Sequence, residues 1–335
     1  MLNKLFTRFL SHKLPINLKF ADLNSTKNLS NELFEAFSND GLGLLTISGI
    51  PNFPSQRAKL LALSYELSHL SVTEKAKIEH PESGFQIGWK EGQSQYPCGT
   101  FAANPLDDYN QELYYQNLWP GYALPALRPA FRELSTTILN TVFLISFHID
   151  KYLETLYPYT NTMSFEDLLY NSRSHIGSLS HFLSFRQNYS ESNDKWKTCN
   201  DVFCAYTCPV YVNTVTSCPL GPEIFDYETG IVVLDYHENQ VHIKLNSDML
   251  VIQVGKIAQI LSGGVFQPKK SSLVHSEKFS GTGRSEFRMS LNPNNDCELI
   301  CPDENNAFSC SEADNGLKKN WKAGVTFANI ARVLN

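Results

Sequence analysis

The chain has no apolar run approaching the ~20 residues needed to cross a bilayer. Its most apolar stretch, Ile138 to Ile145, lies inside a longer helical pattern, so no membrane span is expected and a soluble protein is. Basic residues are outnumbered, 28 Lys and Arg against 34 Asp and Glu, giving a formal charge of −6 and a pI near 5.9. Without a broad cationic field to neutralise phosphates, nucleic acid is not an expected partner. The sequence also lacks internal repeats and low-complexity tracts. Its eight cysteines, with no secretory leader ahead of them, form no recognisable disulfide framework and read as reduced intracellular thiols. Cys199, Cys204 and Cys208 are spaced x4 then x3, which matches none of the common zinc or iron–sulfur patterns. No acidic residue precedes Asp22. Residues 1–13 put Leu2, Leu5, Phe6, Phe9 and Leu10 on one helical face beside Lys4, Arg8 and Lys13, a pattern shared by mitochondrial presequences and by short amphipathic extensions. The expected location is intracellular, cytoplasmic or mitochondrial.

What is present is ordinary globular composition: 42% hydrophobic, 12% aromatic and 19% charged residues. Leu14 to Leu23 reads as a strand and Asn24 to Asp40 as a helix with Leu29, Leu33 and Phe37 on one face. Leu42 to Ile47 reads as a strand and Ser55 to Leu70 as a second helix. From Phe131 to Leu156, Leu134, Ile138, Val142, Ile145 and Ile149 recur at helical spacing and predict one long helix, with His148 on it as a packing residue. After about Gly177 the pattern changes to short apolar runs broken by turn residues. Val202 to Val212, Ile231 to Tyr236, Val241 to Leu245, Met249 to Val254 and Phe287 to Leu291 read as strands, with a hairpin turn at His237 to Gln240. Helices followed by strands point to an α+β class, a β-sandwich or jelly roll packed on helices. The organisation expected is residues 1–13 as an extension, 14–130 as an N-terminal α/β region, and 131–335 as a helix plus strand core, together one unit. The polar segment Cys297 to Asn315 reads as a loop.

Several stretches carry a resemblance. LPINLKFADL at Leu14 to Leu23, GFQIGWKEGQ at Gly84 to Gln93, GTFAANPLDD at Gly99 to Asp108, LWPGYALPALRPAF at Leu118 to Phe131, SFHIDKYLE at Ser146 to Glu154 and WKAGVTF at Trp321 to Phe327 resemble the isopenicillin N synthase-like, Fe(II)- and 2-oxoglutarate-dependent oxygenases. The resemblance implies a double-stranded β-helix, a jelly roll with a small N-terminal α/β segment and a long packing helix. It also implies an oxidoreductase site in which His-x-Asp and a distal His hold Fe(II), and a late-strand arginine binds the far carboxylate of 2-oxoglutarate.

Carried over position by position, the resemblance gives a degenerate site. Trp196-Lys197-Thr198-Cys199, with Thr207-Cys208 eight residues after Cys199, stands where relatives resemble Trp-His-Thr-Asp, so Lys197 takes the histidine position and Cys199 the aspartate position. The run Gln253-Val254-Gly255, Ser262-Gly263-Gly264 and Gln267 places Ser271 at the distal histidine. A protonated lysine is a poor iron ligand and serine a weak one, which implies a pseudoenzyme of this fold with no metal or cofactor expected. Arg284 remains as a vestigial 2-oxoglutarate position, but Glu286 replaces the usual serine or threonine two residues on. Ser178 and Phe182 stand where relatives carry arginine and tyrosine. Two alternatives stay open: an active oxygenase with a shifted site at Cys199, Asp201 and His275, and an anion-binding or scaffold protein whose Lys197 and Arg284 hold a small carboxylate.

Overall fold

The structure, a computed structural model, describes residues 14–92, 98–110, 115–183, 196–213, 216, 230–274, 282–308 and 315–334. The readings of residues 1–13 and of His275 lie outside them.

The opening strand is shorter than its apolar run: β1 (Ile16–Lys19) gives way to a helical turn, α1 (Phe20–Leu23). Helix α2 (Ser30–Phe37) spans the centre of the predicted helix and buries Leu33, Ala36 and Phe37. Strand β2 (Leu44–Ser48) follows, then α3 (Phe53–Ser68) with a proline in its first turn, where its missing N–H costs nothing. Next come α4 (Val72–Ala76), β3 (Gly88–Glu91), β4 (Cys98–Ala103) and the two-residue hairpin of β5 (Tyr109–Asn110) and β6 (Tyr115–Gln116).

The long helix α5 (Leu127–Leu156) starts four residues before the predicted position and puts Leu134, Ile138, Val142, Ile145 and Ile149 at 0% exposure. It packs against α3 and against α6 (Phe165–Tyr170), whose N-terminus is held by Asp150 through Ser164 Oγ at 2.7 Å and the backbone N–H groups of Phe165 and Glu166 at 2.7 and 3.0 Å. His148 is tied to the Leu23 carbonyl at 3.0 Å, a packing contact between α5 and α1.

Strands fill the second half. They are β7 (Ile176–Phe182), β8 (Lys197–Thr198), β9 (Phe203–Thr207), β10 (Val210–Asn213), β11 (Gly230–Leu234), β12 (Gln240–Ile243) and β13 (Leu250–Val254). Helix α7 (Lys256–Leu261) leads to β14 (Lys270–Val274) and β15 (Thr282–Leu291). Helices α8 (Glu304–Ala307), α9 (Asn315–Asn320) and α10 (Phe327–Leu334) end the chain. Three expectations are corrected. Val202 to Val212 is two strands, because Pro209 has no N–H for a ladder. The last strand begins at Thr282, five residues before the apolar run. The segment read as a loop from Cys297 contains α8.

Among the described residues the larger sheet runs β1-β2-β13-β9-β15-β7-β4-β3, with β10 also paired to β15, and the smaller runs β12-β11-β14-β8. Alternation along the strands sorts the side chains. Phe203, Ala205, Leu250, Ile252, Phe287, Met289 and Leu291 face the helices and share a core with α5. Phe287 meets Phe131 of α5 edge to face at 5.1 Å, and Gly177 admits that ring, since a Cβ there would sit 2.5 Å from it. The opposite face of the larger sheet meets the smaller one: Leu44 and Val251, with Tyr206 and Cys208, pack against Ile231, Val233, Val241 and Ile243. Two facing sheets with helices on the outer side of one form the α+β double-stranded β-helix, and the space between them is where side chains converge.

Candidate functional site

The ladder between β8 and β14 sets Lys197 directly opposite Ser271, so two of the three sequence-predicted ligand positions are neighbours. Neither is disposed to hold iron. Lys197 is exposed, while the Ser271 hydroxyl accepts from Gln253 Nε2 at 3.2 Å. Gln253 is fully buried on β13, so this bond ties one sheet to the other. Its register neighbour on β9 is Cys204, and from there the chain leads back to Cys199.

The inward face of β15 is polar. Arg284, Glu286, Arg288 and Ser290 alternate with the core residues Ser285, Phe287, Met289 and Leu291. Arg284 donates to Glu286 Oε2 at 2.8 Å, with side-chain exposures of 4% and 16%, and lies 5.8 Å from the centre of the Phe182 ring. The guanidinium that would receive a dicarboxylate is thus already matched by a carboxylate of its own strand. Lys197, out in solvent, does not complete a cationic pair with it. Pairing with β7 puts Phe182 opposite Arg284 and Ser178 opposite Arg288, so both sequence-predicted positions do front this face.

The densest convergence of donors is one step deeper. Cys199, Asp201 and Cys204 bring one ligand atom each to within 4.8 Å of one another, with Cys204 buried and the other two half-buried. Cys199 Sγ lies 3.7 Å from Asp201 Oδ2, and Asp201 Oδ1 accepts from Asn292 Nδ2 at 2.7 Å. The Cys199–Val202 loop crosses from the smaller sheet to the larger and is pinned where α7 begins: Lys256 N–H donates to the Cys199 carbonyl at 2.9 Å and Gly255 N–H to the Val202 carbonyl at 3.0 Å. Glycine is required there, because a Cβ at 255 would fall 2.1 Å from the Asp201 carbonyl oxygen.

Arg288 completes this cluster, directly across the ladder from Tyr206, and solvent reaches its side chain although protein surrounds it. The neighbouring Cys204 sulfur, and then Tyr206 and Asp201, raise its already high pKa. Cys199 holds its proton, pushed up by the hydrogen bond it makes to Cys204 and by burial. Burial also opposes ionising Cys204, but that bond and the Arg288 charge outweigh it and draw the Cys204 thiol below its ordinary value. The sequence reasoning missed Arg288, Cys204 as a partner of Asp201, and the orienting Asn292. The period-two alternation Arg-x-Glu-x-Arg-x-Ser was the signal for the first.

Other predicted residues separate. Cys208 faces Leu245, its Sγ 3.7 Å from that carbonyl, and is not part of the cluster. Of the shifted site, Cys199 and Asp201 are brought together and Cys204 joins them, while His275 lies outside the described residues. A surface cleft of about 360 Å³ lined by Phe34, Asp40, Tyr152, Gly264 and Gln267 shares none of these residues.

Tested against this geometry, the Fe(II) site implied by the fold does not fit: of a histidine, an aspartate and a histidine the chain offers an exposed ammonium, a thiol and a hydrogen-bonded hydroxyl. Nor does 2-oxoglutarate fit at Arg284, where Glu286 would repel its carboxylate.

No family model and no curated protein sequence matches the chain. Solved structures do. A 2OG-Fe(II) oxygenase family protein from Caulobacter crescentus superposes with a TM-score of 0.69 at 15% identity, covering 95% of this chain and 97% of its own. Full-length Neurospora crassa T7H in complex with α-ketoglutarate gives 0.69 at 12% identity, covering 96% and 97%. JOX2 in complex with 2OG, Fe and JA gives 0.60 at 14% identity, covering 87% and 78%. The chain therefore has the fold of 2-oxoglutarate/Fe(II) oxygenases. T7H is bound to α-ketoglutarate and JOX2 to 2OG and Fe, which runs against the expectation of no cofactor for a chain of this fold. Among the described residues no helix is long and apolar enough to cross a membrane.

Proposed function

We propose that this chain, built on the fold of the 2-oxoglutarate/Fe(II) oxygenases, does not carry out their oxidation through the usual three ligand positions, and that its barrel is a binding pocket with altered chemistry. One observation supports the reading: of the positions that the resemblance assigns to the ligands, Lys197 and Ser271 face each other across a ladder as a solvent-exposed ammonium and a hydroxyl held by Gln253. Neutral imidazole and carboxylate keep Fe(II) bound while leaving positions open for oxygen and co-substrate; an ammonium offers no lone pair at neutral pH. The reading concerns turnover, and any cofactor in the pocket is held by other residues.

A small carboxylate is the ligand class we favour. Its support is Arg288, which faces the space between the sheets and makes no hydrogen bond or ion pair with another described residue, unlike Arg284 with its Glu286. A guanidinium that solvent can reach and that has no carboxylate of its own strand beside it is open to a small carboxylate. Equilibrium dialysis of the full chain against Fe(II) under argon, with and without 2-oxoglutarate, tests the first statement. Iron held stoichiometrically and lost in Ser271→Ala would refute it. Thermal shift with 2-oxoglutarate, succinate and citrate tests the second: stabilisation is expected, and is lost in Arg288→Gln but kept in Lys197→Ala.

A further inference from the structure

We propose that Cys199, Asp201 and Cys204 form a three-ligand site for Zn²⁺, open at its fourth position. The inference stands apart from the reading of the degenerate iron positions, since it shares only Cys199 with them and needs no oxygen chemistry.

The donor set points to the metal. Two thiolates and one carboxylate suit a thiophilic divalent ion, and three protein ligands with a free fourth position are the arrangement of reactive zinc centres. The spacing agrees. With Zn–S near 2.3 Å and Zn–O near 2.1 Å, a tetrahedral ion sets sulfur and oxygen ligands about 3.6 Å apart. Cys199 Sγ and Asp201 Oδ2 are 3.7 Å apart, and all three ligand atoms lie within 4.8 Å of one another. The ligands reach this geometry without the ion having to organise them, because the loop is fixed by Gly255, Lys256 and Asn292.

The surroundings complete the case. Asn292 holds Asp201 Oδ1 at 2.7 Å and leaves Oδ2 turned to Cys199, the orienting contact that metal-binding carboxylates carry. Two thiolates, a carboxylate and Zn²⁺ sum to one negative charge in a partly buried site. Arg288, across the ladder beside Cys204 and Tyr206, supplies the balancing positive charge. Without the metal the same arginine faces two thiols and one carboxylate. Ligand exchange is accessible, because Cys199 and Asp201 are only half-buried.

The test uses the full-length chain, stripped of metal and kept reduced, titrated with Co²⁺ as a spectroscopic probe and then with Zn²⁺. One equivalent of Co²⁺ is expected, with near-ultraviolet thiolate-to-cobalt charge transfer and visible bands of a tetrahedral ion, displaced by one equivalent of Zn²⁺. The bands vanish in Cys199→Ser/Cys204→Ser and persist in Cys208→Ser, with circular dichroism confirming that each variant is folded. Asn292→Ala weakens Zn²⁺ about 10- to 100-fold while leaving the stoichiometry at one. Absence of stoichiometric binding, charge-transfer bands that survive the double substitution, or a Cys199–Cys204 disulfide that persists under reductant would each overturn the proposal.

Discussion

Replacing Glu286 with glutamine isolates the feature that most alters the surroundings of Arg284. The Arg284–Glu286 pair is 2.8 Å long, and its side chains are 4% and 16% exposed. Removing one partner of a buried pair typically costs about 3–5 kcal/mol, since the other charge stays desolvated. Glutamine retains a hydrogen-bond acceptor and nearly the same volume, so the lower figure applies, about 3 kcal/mol. At roughly 2 °C per kcal/mol for a chain of this length, the melting temperature should fall by about 6 °C. The same change removes the charge that repels a dicarboxylate. If 2-oxoglutarate then binds with its concentration about 100 times Kd, it returns about 2.7 kcal/mol, most of the loss. Differential scanning fluorimetry of both proteins over a 2-oxoglutarate series reads both effects, with glutarate as a control for the keto group. The reasoning fails if Glu286→Gln melts at the wild-type temperature, or if 2-oxoglutarate adds no more stability to Glu286→Gln than its binding through Arg288 gives the wild type.

Two buried histidines set an acid limit. Burial holds His175 and His181 down at about 4, against about 6.5 unfolded, so the unfolded chain takes up protons that the folded chain refuses. Their stabilising contribution is complete above pH 6.5 and is lost as pH falls toward 4; at pH 5 the loss is about 2 kcal/mol for each. Urea midpoints at pH 7 and pH 5 should differ accordingly, His175→Phe should remove about half of this difference, and an unchanged pH dependence would contradict it. Gly255→Ala drives a Cβ to within 2.1 Å of the Asp201 carbonyl oxygen, so it should cost about 1–3 kcal/mol and displace the Cys199–Val202 loop. An unchanged melting temperature would show that the crossing is looser than described.

How much of this was readable from the sequence differs by residue. The long helix was, because Leu134, Ile138, Val142, Ile145 and Ile149 mark one face and all of them are buried. The inner strands were, because their apolar runs are bounded by turn residues. The β9–β10 break was not, since an apolar run hides the lack of an N–H at Pro209. The polar start of β15 was hidden for a related reason: Arg284, Glu286 and Arg288 alternate along it and carry no hydrophobic signal. Lys197 and Ser271, two of the ligand positions that the resemblance implies, are register partners. The Cys199, Asp201 and Cys204 cluster was not, because its geometry comes from Gly255 and Asn292, which lie 54 and 91 residues beyond Asp201 in the sequence and leave no local spacing to detect.

The central claim is that the fold persists here without its usual oxidation. The direct measurement is succinate formed from 2-oxoglutarate by the full-length chain in air, supplied with excess Fe(II) and ascorbate and compared with buffer alone. The account predicts no succinate above the buffer value. Catalytic succinate formation that requires both Fe(II) and the protein, and disappears in Cys199→Ala, would contradict it.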